Sequence, residues 1–595
     1  MRLARTVAMA AVLVASRPAA AANARVLTDL DDANACQPLD RGGLAIATGG
    51  GLAVVAEDGS VRVLTAIDGL PDTRVRAVAP EGDSLWVGTE AGAARVRLTP
   101  PLAVERTVAM AADAPVRVVL PTSSGVFFGS WGEGLWRLAP NGRAVEHVSA
   151  PVSGTRVAAL AEHEGSLFVA YADGPPAKLD GGVLHEVAGA PAHGQALASV
   201  AAGEGSTLLL GDLEGLFRLS NGATASLASV DTRALASMGG GLLVGTYGSG
   251  LLSGSTHGAL RTEAVVARFV RGVGVLGRVR CAATAEGAFV DASVDGAHAW
   301  RKVALGGPSS NDVTAIAASG DRVAVGTFDR GAAIYERGAF RRLAGFEPNE
   351  TIEALAWQGQ GATERLLVGT AHGLVRVEPD GSVRRLRAAD GLPSSMVRTI
   401  LVLSDTRVLV GTDEGPAFVQ GDRVTALAAL PTKGATARPL ESPMRATWAL
   451  AMGGDGTIWI GSTAGLYYGK DGHFRRAAVA TGELRDDWVT ALAIDGSDVF
   501  VGTYSGGVTR LRASAGGLAA SHLGGGYVNP DGLAILGGEL LAATMEGLIA
   551  RPKDDDGGAW RPRPGVSPGR DVTAVRKVGD ALWVASRRGI GVSRP

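Results

Sequence analysis

The chain has 595 residues, with 57 Lys and Arg against 59 Asp and Glu and a net charge of −2. Without any basic run, that balance leaves no electrostatic footprint for nucleic acid. Only 19% of the residues are charged and 46% are apolar, with 85 glycines, which excludes a disordered chain and points to apolar strands joined by tight turns.

Residues 1–24 differ from the rest. Met1 to Arg5 is a short basic start, Thr6 to Ser16 is an apolar run, and Ala20-Ala21-Ala22-Asn23-Ala24 offers small residues for cleavage. This reads as a secretory signal peptide whose apolar run is too short for a permanent anchor. No lipidation context surrounds Cys36, and no integral membrane segment is evident elsewhere. The expected location is periplasmic or secreted.

Beyond the leader one phrase recurs, written Leu85-Trp86-Val87-Gly88-Thr89 in one copy and Val499-Phe500-Val501-Gly502-Thr503 in another. Three large apolar residues, a tiny one and a small hydroxyl, with a glycine soon after, describe a buried strand running into a tight turn. The tiny residue falls at Ala47, Gly88, Gly129, Ala170, Gly211, Gly245, Ala283, Gly326, Gly369, Gly411, Gly461, Gly502, Ala543 and Ala585. Alanine at five of these fourteen positions argues that small volume, not a positive φ, is required. Thr or Ser follows in twelve copies, the exceptions being Tyr171 and Asp212; a hydroxyl there can bond the turn backbone.

Most intervals are 41 to 43 residues, the period of a four-stranded propeller blade. The copy around Gly88 parses as Val75 to Ala79, Ser84 to Thr89, Ala93 to Arg97 and Ala103 to Val108. One such sheet cannot cover both apolar faces alone, so neighbours must stack, and neither chain end resembles a solenoid cap. Fourteen blades exceed the usual four to eight per ring. The expected fold is therefore all-β, two tandem seven-bladed β-propellers over 25–305 and 306–595, with a seam at Gly306 to Asn311. The last copy stops three strands long at Pro595, so a fourth must come from elsewhere. Ala24 to Leu30 is the candidate for the seventh blade and His298 to Ala304 for the fourteenth. In that arrangement Cys36 approaches Cys281, where a disulfide would latch the first ring; two small buried residues without a bond is the other reading. Pro431 to Pro443 reads as a loop insertion.

Asp68-Gly69-Leu70-Pro71 followed by Val75 and the phrase at Gly88, and Asp390-Gly391-Leu392-Pro393 followed by Val397 and the phrase at Gly411, resemble the two-component regulator propeller repeat. Ile458-Trp459-Ile460-Gly461-Ser462 is similar to its strand half. The resemblance covers nearly the whole mature chain, although several copies in the first half lack the Asp-Gly-Leu-Pro lead. It implies tandem propellers forming the ligand-sensing part of a regulator, with carbohydrate fragments as one ligand class. No kinase or DNA-binding segment follows Pro595, so the expectation is a sensor-like protein that does not itself signal.

Loops joining the second and third strands gather on one face with the loops entering the first. On that face the candidate ligand-binding residues are Trp131, Glu133 and Tyr247 in the first ring. In the second they are Phe328, Asp329, Arg330, His372, Asp413, Tyr504 and Arg587. Aromatics with a few charges suit a polar, ring-shaped ligand. Catalytic chemistry has less support. Nine histidines are scattered singly, no Gly-x-Ser-x-Gly context occurs, and no cofactor or metal site is expected. Ser293-Val294-Asp295 with Trp300, and Asp554 to Gly558 with Trp560, loosely resemble the Asp-box turn of sialidase-like propellers; calcium at Asp554 to Asp556 lacks visible further ligands. The expectation is a non-catalytic binding protein for a small molecule, a glycan or an envelope protein. A propeller enzyme acting on glycans and an interaction scaffold are the alternatives.

Overall fold

The computed structural model describes residues 24–594 apart from 111–113, 143, 149–151, 203–204, 221–222, 240, 257–258, 266, 293–298, 348, 428–443, 445, 471 and 515–516. The leader, the insertion beginning at Pro431 and the turn at Ser293 lie outside the described residues. Fourteen four-stranded antiparallel sheets make up the fold, and no α-helix occurs among the described residues. Blades 1 to 7 span 33–64, 75–108, 116–147, 157–186, 196–228, 232–262 and 270–302. Blades 8 to 14 span 313–342, 352–386, 397–426, 447–477, 489–524, 533–562 and 572–593.

The chain divides into two compact units, one running from Leu30 to Gly306 and the other from Gly307 onward together with the segment ending at Asp29. In each, the first strand of a blade lies against the first strand of the next, and the seventh against the first. Each unit is thus a closed seven-bladed propeller, its axis lined by first strands.

The recurring phrase is the second strand of each blade, covered on both faces: Leu85, Trp86 and Val87 are at most 3% exposed. Its small residue meets the first residue of the next blade. A Cβ on Gly88 would lie 2.7 Å from the carbonyl oxygen of Val116, and one on Gly461 2.5 Å from Val489 Cγ1. None of the nine glycines at this position has a positive φ, so close approach between blades is what selects them. Ala170 meets Gly194, where a Cβ would lie 3.0 Å from its own, and Ala283 packs in one cluster with Ala33, so small residues stand opposite both. All twelve hydroxyls close the following turn as expected. Thr89 Oγ1 donates to the Gly92 carbonyl at 2.9 Å and accepts from the Ala91 amide at 3.2 Å, and Ser586 does the same with Gly589 and Arg588. Asp212 replaces the hydroxyl with a carboxylate that accepts the amides of Glu214 and Gly215 at 2.7 and 2.8 Å.

Ring closure reverses the sequence expectation. Ala24–Leu27 pairs with Gly589–Ser593 and completes blade 14, while Arg301–Lys302 pairs with Gly287–Ala292 and completes blade 7. Both strands are short and edge-like, so local pattern does not say which open edge each will fill. Residues 24–29 therefore belong to the second propeller. They are held there by Asn311, which accepts the Asp29 amide at 2.7 Å and donates to its carbonyl at 2.8 Å. The seam is accordingly no loose linker, since Ser309, Ser310 and Asn311 are buried. Blades 1 and 7 are joined by a disulfide between Cys36 and Cys281, whose Cα atoms are 6.2 Å apart.

Candidate functional site

The start of every first strand pairs with the end of the second, Val75 with Thr89 for example, so both ends share the face where the channel opens. In twelve blades the register of this pair slips just after the first residue. Such a bulge leaves one residue outside the ladder and re-aims its side chain. The bulged residues are Asn34, Arg76, Arg117, Ala158, Arg233 and Arg271 in the first propeller. In the second they are Thr314, Glu353, Arg398, Trp448, Thr490 and Thr573. Where the residue is short it bonds the next blade: Asn34, Thr314, Thr490 and Thr573 donate to the carbonyls of Val75, Ile352, Val528 and Val313 at 2.5 to 2.8 Å. Where it is long it forms the channel mouth.

At the second mouth every blade contributes. Trp448 and Trp488 lie 5.6 Å apart, Trp488 stacks on Tyr504 at 4.3 Å, and Tyr504 meets Tyr527 edge-on at 5.0 Å. This aromatic arc covers blades 11 to 13. Ion pairs complete the circuit. Arg587 binds Asp571 at 2.9 Å and Asp312 at 2.8 Å and lies 5.6 Å above the Phe328 ring. Arg398 binds Asp413 at 2.5 Å, approaches Glu353 at 3.8 Å and covers Trp448 at 4.0 Å. Burial raises the Glu353 carboxyl above its ordinary value against the pull of Arg398, with Asp413 adding to the rise. Asp312 is raised in the same way, by burial first, with Arg587 opposing and Asp329 and Asp571 adding. Among the described residues, the indole N–H groups of Trp448 and Trp488 and one Asp329 carboxylate oxygen are buried without a hydrogen-bond partner. Buried unpaired groups of this kind call for a missing partner.

The first mouth is rich in arginine. Trp131 lies between Arg117 at 5.1 Å and Arg156 at 5.9 Å. Tyr247 packs on Phe269 at 4.4 Å beneath Arg233 at 5.2 Å. Among the described residues, six of the ten exposed large apolar side chains, Leu213, Tyr247, Phe269, Phe328, Tyr504 and Met545, sit in loops of these two mouths, a concentration that marks interaction surfaces.

Of the residues singled out from sequence, Phe328, Asp329, Asp413, Tyr504 and Arg587 come together at the second mouth. Arg330 turns to Asp29, 3.8 Å away. His372 faces Glu350 at 3.6 Å and Glu347 at 3.9 Å, beside Arg385 of the outer strand and Arg387 just after it, so it lies away from the mouth. Glu133 serves its own turn, its carbonyl accepting from Trp136 and meeting the His147 ring nitrogen, both at 3.1 Å. Glu353, Arg398, Trp448, Trp488, Tyr527 and the first-propeller arginines escaped the sequence reading. A recurring signal was there: in most first strands a variable residue stands between an apolar start and a small third residue, as in Val75-Arg76-Ala77 and Ile352-Glu353-Ala354.

Of the two turns compared with an Asp-box, the described one at Asp554 to Gly558 meets cations from the chain itself. Asp556 pairs with Arg510 at 2.5 Å and Asp554 with Lys553 at 3.0 Å, and Trp300 donates to Glu263 at 2.8 Å. Among the described residues no group of three or more His, Cys, Asp or Glu is placed to hold a metal. Among the described residues no helix is long and apolar enough to cross a membrane.

No protein-family model matches the sequence, and no curated protein does. Among solved structures the chain is similar to PorZ, a surface component of the type-IX secretion system of Porphyromonas gingivalis. That match has 14% identity over 96% of this chain and 87% of that one, with a TM-score of 0.73. An ancestral GH74 enzyme matches at 13% identity over 96% and 98%, with a TM-score of 0.67. The chain shares their propeller fold. The extracellular domain of a hybrid two-component system protein from B. thetaiotaomicron aligns over 96% of this chain and 82% of that one, at 13% identity and a TM-score of 0.38.

Proposed function

We propose that this is an exported, sensor-like propeller protein that binds a saccharide-like ligand at the mouth of its second propeller and performs no chemistry on it. The observation that carries the reading is the division of that mouth. A continuous arc of Trp448, Trp488, Tyr504 and Tyr527 faces an arc of ion-paired Asp312, Asp571, Arg587, Glu353, Arg398 and Asp413. A pyranose presents an apolar face to stack and a rim of hydroxyls to bond, which is the complement of such a surface. The unpaired indole N–H groups are donors that a hydroxylated ligand, or water bridging to it, would satisfy. The repeat phrases that resemble two-component regulator propellers support the same reading.

A glycan array together with a thermal-shift screen of neutral oligosaccharides tests this. A saturable ligand is expected, with affinity lowered at least about tenfold in Trp488→Ala, because truncating a buried aromatic anchor commonly costs more than about 1.4 kcal/mol. No ligand in either screen would overturn carbohydrate binding.

A second reading, a glycan-cleaving enzyme, is favoured by one observation: Glu353 is a carboxyl at the mouth, 3.8 Å from Arg398, that burial raises above its ordinary value, the direction a general acid needs. The GH74 likeness adds fold-level analogy only. Release of new reducing ends from oligosaccharides, abolished in Glu353→Gln, would replace the binding reading with this one.

A further inference from the structure

The first mouth carries its own chemistry, independent of the saccharide reading. Four of the six bulged residues there are arginines, and they are not equally neutralised. Arg233 has Asp231, bound through Nε at 2.5 Å and Nη2 at 2.9 Å. Arg271 has Asp32 at 2.5 Å. In the sector of blades 2 to 4 the balance differs. Arg76 and Arg117 share one carboxylate, Glu90, which Arg76 holds closely and Arg117 reaches only at 4.0 Å. Arg76 spends a further N–H on the Asn34 side chain at 3.2 Å, and the Arg117 Nε is buried without a partner. Arg156 makes no ion pair among the described residues. The nearby Asp173 carboxylate is already taken by the amides of Thr155 and Arg156 and the Thr155 hydroxyl, at 2.9 to 3.0 Å.

Arg76 and Arg117 therefore share one carboxylate, with the Arg156 guanidinium against the same indole as Arg117, a disposition that costs free energy unless something else supplies negative charge. Burial and the neighbouring Arg76 both disfavour the Arg117 cation. Trp131 is not an open stacking platform, since Arg117 and Arg156 lie against it. It fixes where the two guanidiniums point, which a site for a planar or tetrahedral oxyanion requires.

We propose that the mouth of the first propeller, at blades 2 to 4, is an oxyanion-binding site in which Arg76 and Arg117 donate to a phosphate, sulfate or carboxylate group and Trp131 positions Arg117. Guanidinium forks match these oxygen pairs bidentately. The shared chemistry has three sources, a phosphomonoester, a sulfated sugar and a uronic acid.

The test is isothermal titration of the full chain with inorganic phosphate, sulfate and glucuronate in separate arms, ionic strength being held constant with sodium chloride. One saturable site is expected for at least one anion, and the best arm identifies the source. Arg117→Gln should weaken it about ten- to a hundredfold, the loss of a charge-assisted hydrogen bond, while Arg233→Gln should change it less than about threefold. Glu90→Gln removes the competing carboxylate and should tighten binding about tenfold, a result that mere loss of structure does not produce. Absence of saturable binding in all three arms, equal weakening by Arg117→Gln and Arg233→Gln, or weaker binding in Glu90→Gln would each overturn the proposal.

Discussion

The two propellers use the same blade, the same glycine or alanine between blades and the same hydroxyl-closed turn, yet they differ in what closes the ring and what lines it. The first is latched by a covalent bond between blades 1 and 7. The second closes through the pairing of Ala24–Leu27 with Gly589–Ser593. The bulged position is mostly arginine in the first and mixed Thr, Glu, Arg and Trp in the second. Blade framework and mouth are thus separable: the ladder and core fix the ring, and the one residue outside the ladder is free to set the chemistry.

The largest effect expected from breaking this comparison lies in the latch. Cys281→Ser should cost the first propeller about 3–5 kcal/mol, because the disulfide closes a loop of 245 residues and constrains the unfolded chain. Hydrogen exchange should show lost protection across 33–302 and little change across 313–594; a uniform loss would show that the rings do not respond separately. Leu27→Ala is the converse experiment. Leu27 is 7% exposed in the core shared by blades 8 and 14, so its truncation should cost about 2–4 kcal/mol, seen as lost protection of 572–593.

A smaller effect probes what the rings have in common. Gly88→Ala and Gly369→Ala place a Cβ against backbone carbonyls of the next blade, at 2.7 Å from Val116 and 2.6 Å from Val397. Each should cost about 1–3 kcal/mol in denaturant titrations, and a markedly larger penalty in one ring would show that the two interfaces are not equivalent.

The smallest effect concerns the mouths. The folded pKa of Glu353 lies above its ordinary value of 4.5, so the fold favours the neutral form. Its stabilising contribution is complete below that ordinary value and is lost as pH rises through the folded value. Glu353→Gln cannot ionise, and its stability relative to the parent should therefore increase between pH 4 and pH 7. Urea unfolding at those two pH values checks the sign, and a gap that narrows with rising pH would contradict it.

Much of the framework was legible because it is written locally and often. A strand buried on both faces, a small residue where blades touch and a hydroxyl at a turn are each decided by neighbours a few residues away. The mouths were legible only in part. Tyr504, Asp413 and Arg587 stand in loops and announce themselves as polar or aromatic among glycines. Glu353, Arg398 and Trp448 hide inside strands, and only the slipped register turns them toward the opening; a slip is a property of two strands, not of one sequence. Closure was illegible for a related reason. Val26 and Leu27 would satisfy the edge of either incomplete sheet, and the choice depends on which ring has already been filled by Arg301–Lys302.

The reversed closure sets an order of assembly. Ala24–Leu27 precedes every blade, but its partner strand Gly589–Ser593 is the last strand of the fourteenth, so this segment waits through synthesis of all the other blades. The first propeller has all its strands on hand by Lys302 and can seal while the second is still incomplete. The second resembles a clasp whose two halves are sewn to opposite ends of a garment: it fastens only when the last stitch has been made.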